Sequence, residues 1–148
     1  MNSPIEILSG IWIGSVEYAL NKNFYINNNI DIVINCTNDT EFIELNTLKH
    51  KIKIPFGRDF PSKYNLHVIN DYVEKILEII HKSMDNYNIF IYSYKMEIIP
   101  LSIISLFIVK YGGINEESIE SIVKSKININ TYPSEISIDL SLFKHMIE

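Results

Sequence analysis

Apolar positions along this chain keep one of two rhythms: short, nearly continuous runs rich in isoleucine, and longer stretches with a helical period. The run "IDIVINC" over 30–36 is β-branched almost throughout, the mark of a strand covered on both faces. "NIFIYS" over 88–93 reads as a second buried strand. Near the start, "EILSGIWIGS" over 6–15 reads as two short strands turned at Gly10, with Trp12 and Gly14 near the end of the second. "HKIKIP" over 50–55 alternates as a half-buried strand and stops at Pro55. Between the strands, "SVEYALNKNFYINNN" predicts a helix from Val16, or two short ones, ending in the asparagine run 27–29. Leu66, Ile69, Val73, Ile76 and Ile80 recur on one side of a helix over about 66–85. A helix over 100–111 is apolar almost all round and therefore central, and Gly112 and Gly113 end it. Asn115 caps the next helix, whose early acids and late lysines suit the helix dipole, and Pro133 and Ser134 begin a last one. Strands alternating with helices predict an α/β fold with a central, mostly parallel sheet of about five strands flanked by helices, in one domain over 1–148.

Composition narrows the chemistry. The net charge of −5 argues against non-specific binding to nucleic acid or to an anionic membrane surface. Of the 13 basic residues only Arg58 is arginine, the residue that grips phosphate in a bidentate fork. Cys36 is the only cysteine, so no intramolecular disulfide can form and a reducing, cytoplasmic setting is expected. The start "MNSPIEILSG" lacks the pattern of a signal peptide, and no run approaches the length of a membrane span. Heavy use of Ile, Asn and Lys is that of an AT-rich coding sequence, as in a large DNA virus or a protist; a viral chain would work inside the host cell.

The candidate residues have plain structural roles available. Cys36 ends a buried strand and reads as a small core hydrophobe, with no basic neighbour in sequence to activate it. His50, His67, His81 and His145 form no metal-ligand spacing with one another or with Cys36, so neither a metal nor a cofactor is expected. Ser93 lacks the Gly-x-Ser-x-Gly setting of an activated serine. Tyr92 and Tyr94 read as packing, with aromatic contact to a partner as the alternative. The stretch "KSKININTYP" over 124–133 is an ordinary connection.

Four segments, "GIWIGSVEYALN", "NNNIDIVINCTND", "KIKIPFGRDF" and "NIFIYSYKMEIIPLSIISLFIVKYGGINEESIESI", resemble in order and spacing the dual-specificity branch of the cysteine-based protein phosphatases. The resemblance covers nearly the whole chain. In that family the phosphate loop reads His-Cys-x-x-Gly-x-x-Arg-Ser/Thr. Laid on this chain, the histidine position is Tyr92, the nucleophile position Ser93, the glycine position Met96, the arginine position Ile99 and the hydroxyl position Pro100. The resemblance therefore implies the fold without the activity: a pseudophosphatase.

Each replacement removes a separate element of the chemistry. A cysteine at a helix N-terminus ionises near neutral pH and attacks phosphorus, whereas a serine hydroxyl stays protonated. Ile99 cannot replace a guanidinium that holds two phosphate oxygens. Met96 adds a side chain where glycine lets backbone N–H groups close around an anion, and Pro100 removes a donor. Glu97 places negative charge where a dianion would sit, at about 1 kcal/mol or more, and Lys95 offsets part of it. The family's general-acid position falls on Arg58 or Asp59, which read first as a solvated charge pair. What the resemblance implies for function is a protein-binding or scaffold module, with self-pairing allowed. A second function is a phosphoprotein-reading module that keeps anion affinity through Lys95 and Arg58. A third, an enzyme of another kind built on Ser93, Glu97 or Asp59, lacks an accompanying base or metal site. Restoring cysteine, glycine and arginine at 93, 96 and 99 together should return some activity where the pocket keeps its shape.

Overall fold

In the computed structural model, described over residues 3–56, 66–94 and 99–127, the chain builds a five-stranded sheet. The strands are β1 (Ile5–Leu8), β2 (Ile11–Ser15), β3 (Ile30–Asn35), β4 (His50–Lys53) and β5 (Asn88–Ser93). They lie in the order β1-β2-β5-β3-β4. β1 runs antiparallel to β2, and every other neighbouring pair is parallel. A 3-10 turn at Val16–Tyr18 and helix α1 (Lys22–Asn27) lead from β2 to β3, and α2 (Leu66–Ser83) leads from β4 to β5. Helices α3 (Ile99–Gly112) and α4 (Glu116–Lys126) follow β5. The expected α/β class and mostly parallel sheet are thus observed, and the region after Val16 forms two short helical pieces. The last helix expected from Pro133 and Ser134 lies outside the described residues. No helix among the described residues is long and apolar enough to cross a membrane.

Strand alternation divides the interior into two unlike layers. On one face Ile11, Ile13, Ile32, Ile34, Ile89 and Ile91 pack against the helices. α2 contributes Val73, Ile76, Leu77 and Ile80, and α4 contributes Ile119 and Val123. α3 is buried continuously from Ile99 to Ile108, as its all-round apolar sequence requires. Its Ser105 satisfies its buried hydroxyl by donating to the Leu101 carbonyl at 2.7 Å. On the other face Phe90 and Tyr92 join Phe24, Tyr25, Ile30 and Val33, with Trp12 and Tyr18 packed around them. The four residues Ile89–Tyr92 of β5 therefore send isoleucine to the helical layer and aromatics to the opposite one.

Two glycines make this geometry possible. Gly10 takes φ +78° in the turn between β1 and β2, and its N–H donates to a Glu6 carboxylate oxygen at 2.9 Å. At Gly14 an added Cβ would stand 2.9 Å from Cε1 of Phe90, so the missing side chain is what admits that ring. Asn29 follows α1 with φ 51°, a conformation asparagine tolerates better than most residues. Caps match the sequence pattern as well: the Asn115 side chain accepts the Ser118 N–H at 3.0 Å, and Glu120 pairs with Lys124 at 2.8 Å on α4.

Candidate functional site

In open parallel sheets, ligands are held at the carboxyl ends of the strands. Here those ends carry Ser15, Ser93 and Asn35, with Ser15 opposite Ser93 and Asn35 opposite Tyr92 in the sheet register. Ser93 is the last residue of β5 and is 2% exposed. α3 starts at Ile99, so its N-terminal end faces the same junction. Its first residues, Ile99 and Pro100, are buried, and Ile99 belongs to the apolar cluster on the helical side. The structure thus puts Ser93 at the strand end and Ile99 at the helix start. Lys95, Met96, Glu97, Arg58 and Asp59 lie outside the described residues.

The sole thiol lies close by and is sealed. Cys36 directly follows β3, its N–H donates to the Tyr92 carbonyl at 2.8 Å, and it is fully buried. Burial pushes its pKa well above the ordinary thiol range, so it is held as an inert thiol. The described imidazoles sit elsewhere. His50 meets Tyr87 edge-on at 6.4 Å at the opposite end of the strands, and His81 stacks on Tyr111 at 4.1 Å between α2 and α3. Among the described residues no group of three His, Cys, Asp or Glu could hold a metal ion.

A hydroxyl and amide network ties down the chain beyond β3. The Asn35 side chain accepts the Thr37 N–H at 3.0 Å and the Thr37 hydroxyl at 2.6 Å, and donates to the Thr40 carbonyl at 2.8 Å. The Thr37 and Thr40 hydroxyls share a further hydrogen bond. Lys53 donates to the same Thr40 carbonyl at 3.2 Å. Tyr94 then reaches across from β5. Its hydroxyl accepts the Asn38 N–H at 3.3 Å, and its proton faces the Asn38 Oδ1 at 2.6 Å and an Asp39 carboxylate oxygen. The sequence shows a turn-forming run at 37–40, but nothing in it announces a partner 56 positions away.

Neighbouring tyrosines consequently carry opposite burdens. Tyr92 is wholly buried beside Phe90, at 5.5 Å between ring centroids, and its hydroxyl has no hydrogen-bond partner among the described residues. Desolvation, with Cys36 adding to it, raises its pKa above the ordinary phenol value. Tyr92→Phe removes a buried unpaired hydroxyl and should stabilise the fold by about 1 kcal/mol. Tyr94→Phe deletes a bonded hydroxyl and should destabilise it by a similar amount, about 1 kcal/mol. Denaturant midpoints of the two variants should move in opposite directions, and movement in the same direction would contradict these assignments.

No protein-family model and no curated protein sequence matches this chain. Solved structures do. Human DUSP28 superposes with a TM-score of 0.73 at 10% identity, over 97% of this chain and 89% of that one. The human tyrosine phosphatase-like serine/threonine/tyrosine-interacting protein gives 0.72 at 14% identity, over 99% and 94%. A leucine rich repeat and phosphatase domain containing protein from Entamoeba histolytica gives 0.65 at 21% identity, over 98% and 88%. Strand order, the helix following β5 and these superpositions agree: the chain has the dual-specificity phosphatase fold.

Proposed function

We propose that this chain is a pseudophosphatase, a dual-specificity phosphatase fold that binds protein and does not turn over phosphate. What carries this is the junction of β5 and α3, where Ser93 and Ile99 occupy the thiol and guanidinium positions and are both buried. A buried serine offers no thiolate, and a buried isoleucine offers no charge to a transferring phosphoryl group. The only cysteine of the chain cannot stand in, since it is enclosed and held protonated. The fold itself remains well packed, as expected for a chain retained for its surface. One structural neighbour is named as phosphatase-like and as a serine/threonine/tyrosine-interacting protein, a description that fits the same kind of use.

Purified protein should hydrolyse p-nitrophenyl phosphate and a phosphotyrosine peptide no faster than its Ser93→Ala variant. A wild-type rate reproducibly above that of the variant would overturn the proposal. The same phosphopeptide, titrated without turnover, separates plain protein binding from phosphate reading: saturable binding lost on removal of the phosphate would assign the chain to the phosphoprotein-reading class.

A further inference from the structure

The sheet ends on β4, and no described strand flanks it on the side away from β3. The Ile54 N–H donates to the Asn35 carbonyl at 2.9 Å, and with Val33 opposite Lys51 and Asn35 opposite Lys53 it is Ile52 and His50 that alternate with Ile54 toward β3. By that alternation the backbone N–H and C=O groups of Lys51 and Lys53 point outward, which is the pattern an added strand needs.

Side chains on this edge select what can be added. Lys49, Lys51 and Lys53 place three lysines, with His50 among them, in five positions of a chain whose net charge is −5. Lys49 is engaged by Asp31 at 3.5 Å and by the Tyr87 ring at 4.9 Å, and Lys53 by the Thr40 carbonyl. His50 and Lys51 are exposed, while Ile52 is half-buried against the core and stiffens the strand. Lysine on an edge guards against apolar strands and against a second copy of itself, because pairing would desolvate it or oppose like charges. An acidic strand meets neither penalty, and it is repelled by the acidic remainder of the surface.

We propose that the β4 edge is a docking site for an acidic, extended segment of a partner protein, added parallel or antiparallel to β4 through the backbone of Lys51 and Lys53. This rests on the reading of the chain as a protein-binding module and names the surface and the partner chemistry. The hydrolysis assay does not involve β4, so failure of one proposal leaves the other standing.

The test uses the full chain and three short peptides in which valine alternates with glutamate, with serine or with lysine. Backbone amide resonances are followed during titration. The glutamate peptide should bind saturably, shift the Lys51 and Lys53 amides most, and slow their exchange with water. Lys51→Glu should weaken it about fivefold or more by exchanging an attraction for a repulsion. Lys51→Pro removes an outward N–H without touching the ladder to β3; it should abolish binding while leaving the melting temperature within a few degrees, as proline is tolerated at an edge. Equal binding of all three peptides, no saturation at millimolar glutamate peptide, shifts centred away from β4, or pairing of two copies through β4 would each overturn the proposal.

Discussion

Phe90→Ala should destabilise the fold by about 3–5 kcal/mol, the upper range for truncating a buried aromatic. Phe90 lies at 0% exposure in β5, the strand between β2 and β3. Its ring stands 4.7 Å from Phe24, 5.6 Å from Tyr25 and 5.5 Å from Tyr92, so one truncation removes the contact surface of three other rings. Collapse into the space is hindered because β5 is hydrogen-bonded on both sides, and the facing backbone is Gly14, which has no side chain to move in. Leu20→Ala is the matching control: Leu20 is 63% exposed, and its loss should stay within about 0.5 kcal/mol. Denaturant unfolding measures both. A loss below about 2 kcal/mol for Phe90→Ala would mean that the aromatic layer relaxes freely, contrary to the packing described.

The sequence made this layer visible only in part. Alternation in "NIFIYS" shows that Phe90 and Tyr92 share a face, because a strand has period two. It does not show that the shared face belongs to α1 while the isoleucines belong to α2, α3 and α4. The helical period likewise exposes Val73, Ile76 and Ile80 of α2, and Leu77, four residues after Val73, falls on the same stripe and is buried with them. β4 reads as a strand from its alternation, but its place at the sheet edge comes from the strand order, which is a property of long-range pairing.

The candidate site was legible as a list of replacements and illegible as an arrangement. Ser93 and Ile99 are recognised by their offset in the strand and helix junction. That both are buried depends on how α3 seats against the sheet. Tyr94 is a similar case: a tyrosine beside a serine carries no signal that its hydroxyl will meet Asn38 and Asp39, since the tie depends on β3 and β5 being neighbours. Cys36 was legible as a core residue from its apolar run, and the structure adds that it lies one strand away from Ser93.

On the proposed reading, placing cysteine, glycine and arginine at 93, 96 and 99 should fail to give hydrolysis, and in a particular way. Ser93→Cys alone should leave p-nitrophenyl phosphate hydrolysis at the wild-type background, because a thiol without a guanidinium fork lacks the group that stabilises the transferring phosphoryl. Adding Met96→Gly and Ile99→Arg supplies the glycine and arginine as well but places a cation where Ile99 now packs among apolar side chains at 9% exposure. Removing that packing and burying an unpaired charge should destabilise the triple variant by about 2–4 kcal/mol, a drop of very roughly 4–16 °C in melting temperature for a chain of this size. Hydrolysis should stay at background, and tungstate, an oxyanion of the right shape for a phosphate cradle, should not raise the melting temperature. Were the triple variant to hydrolyse phosphate while melting with the wild type, the arginine would have found its place in the loop without leaving a hole in the core. The helix start would then be a preserved pocket wall, and three side chains alone would separate the wild type from a hydrolase.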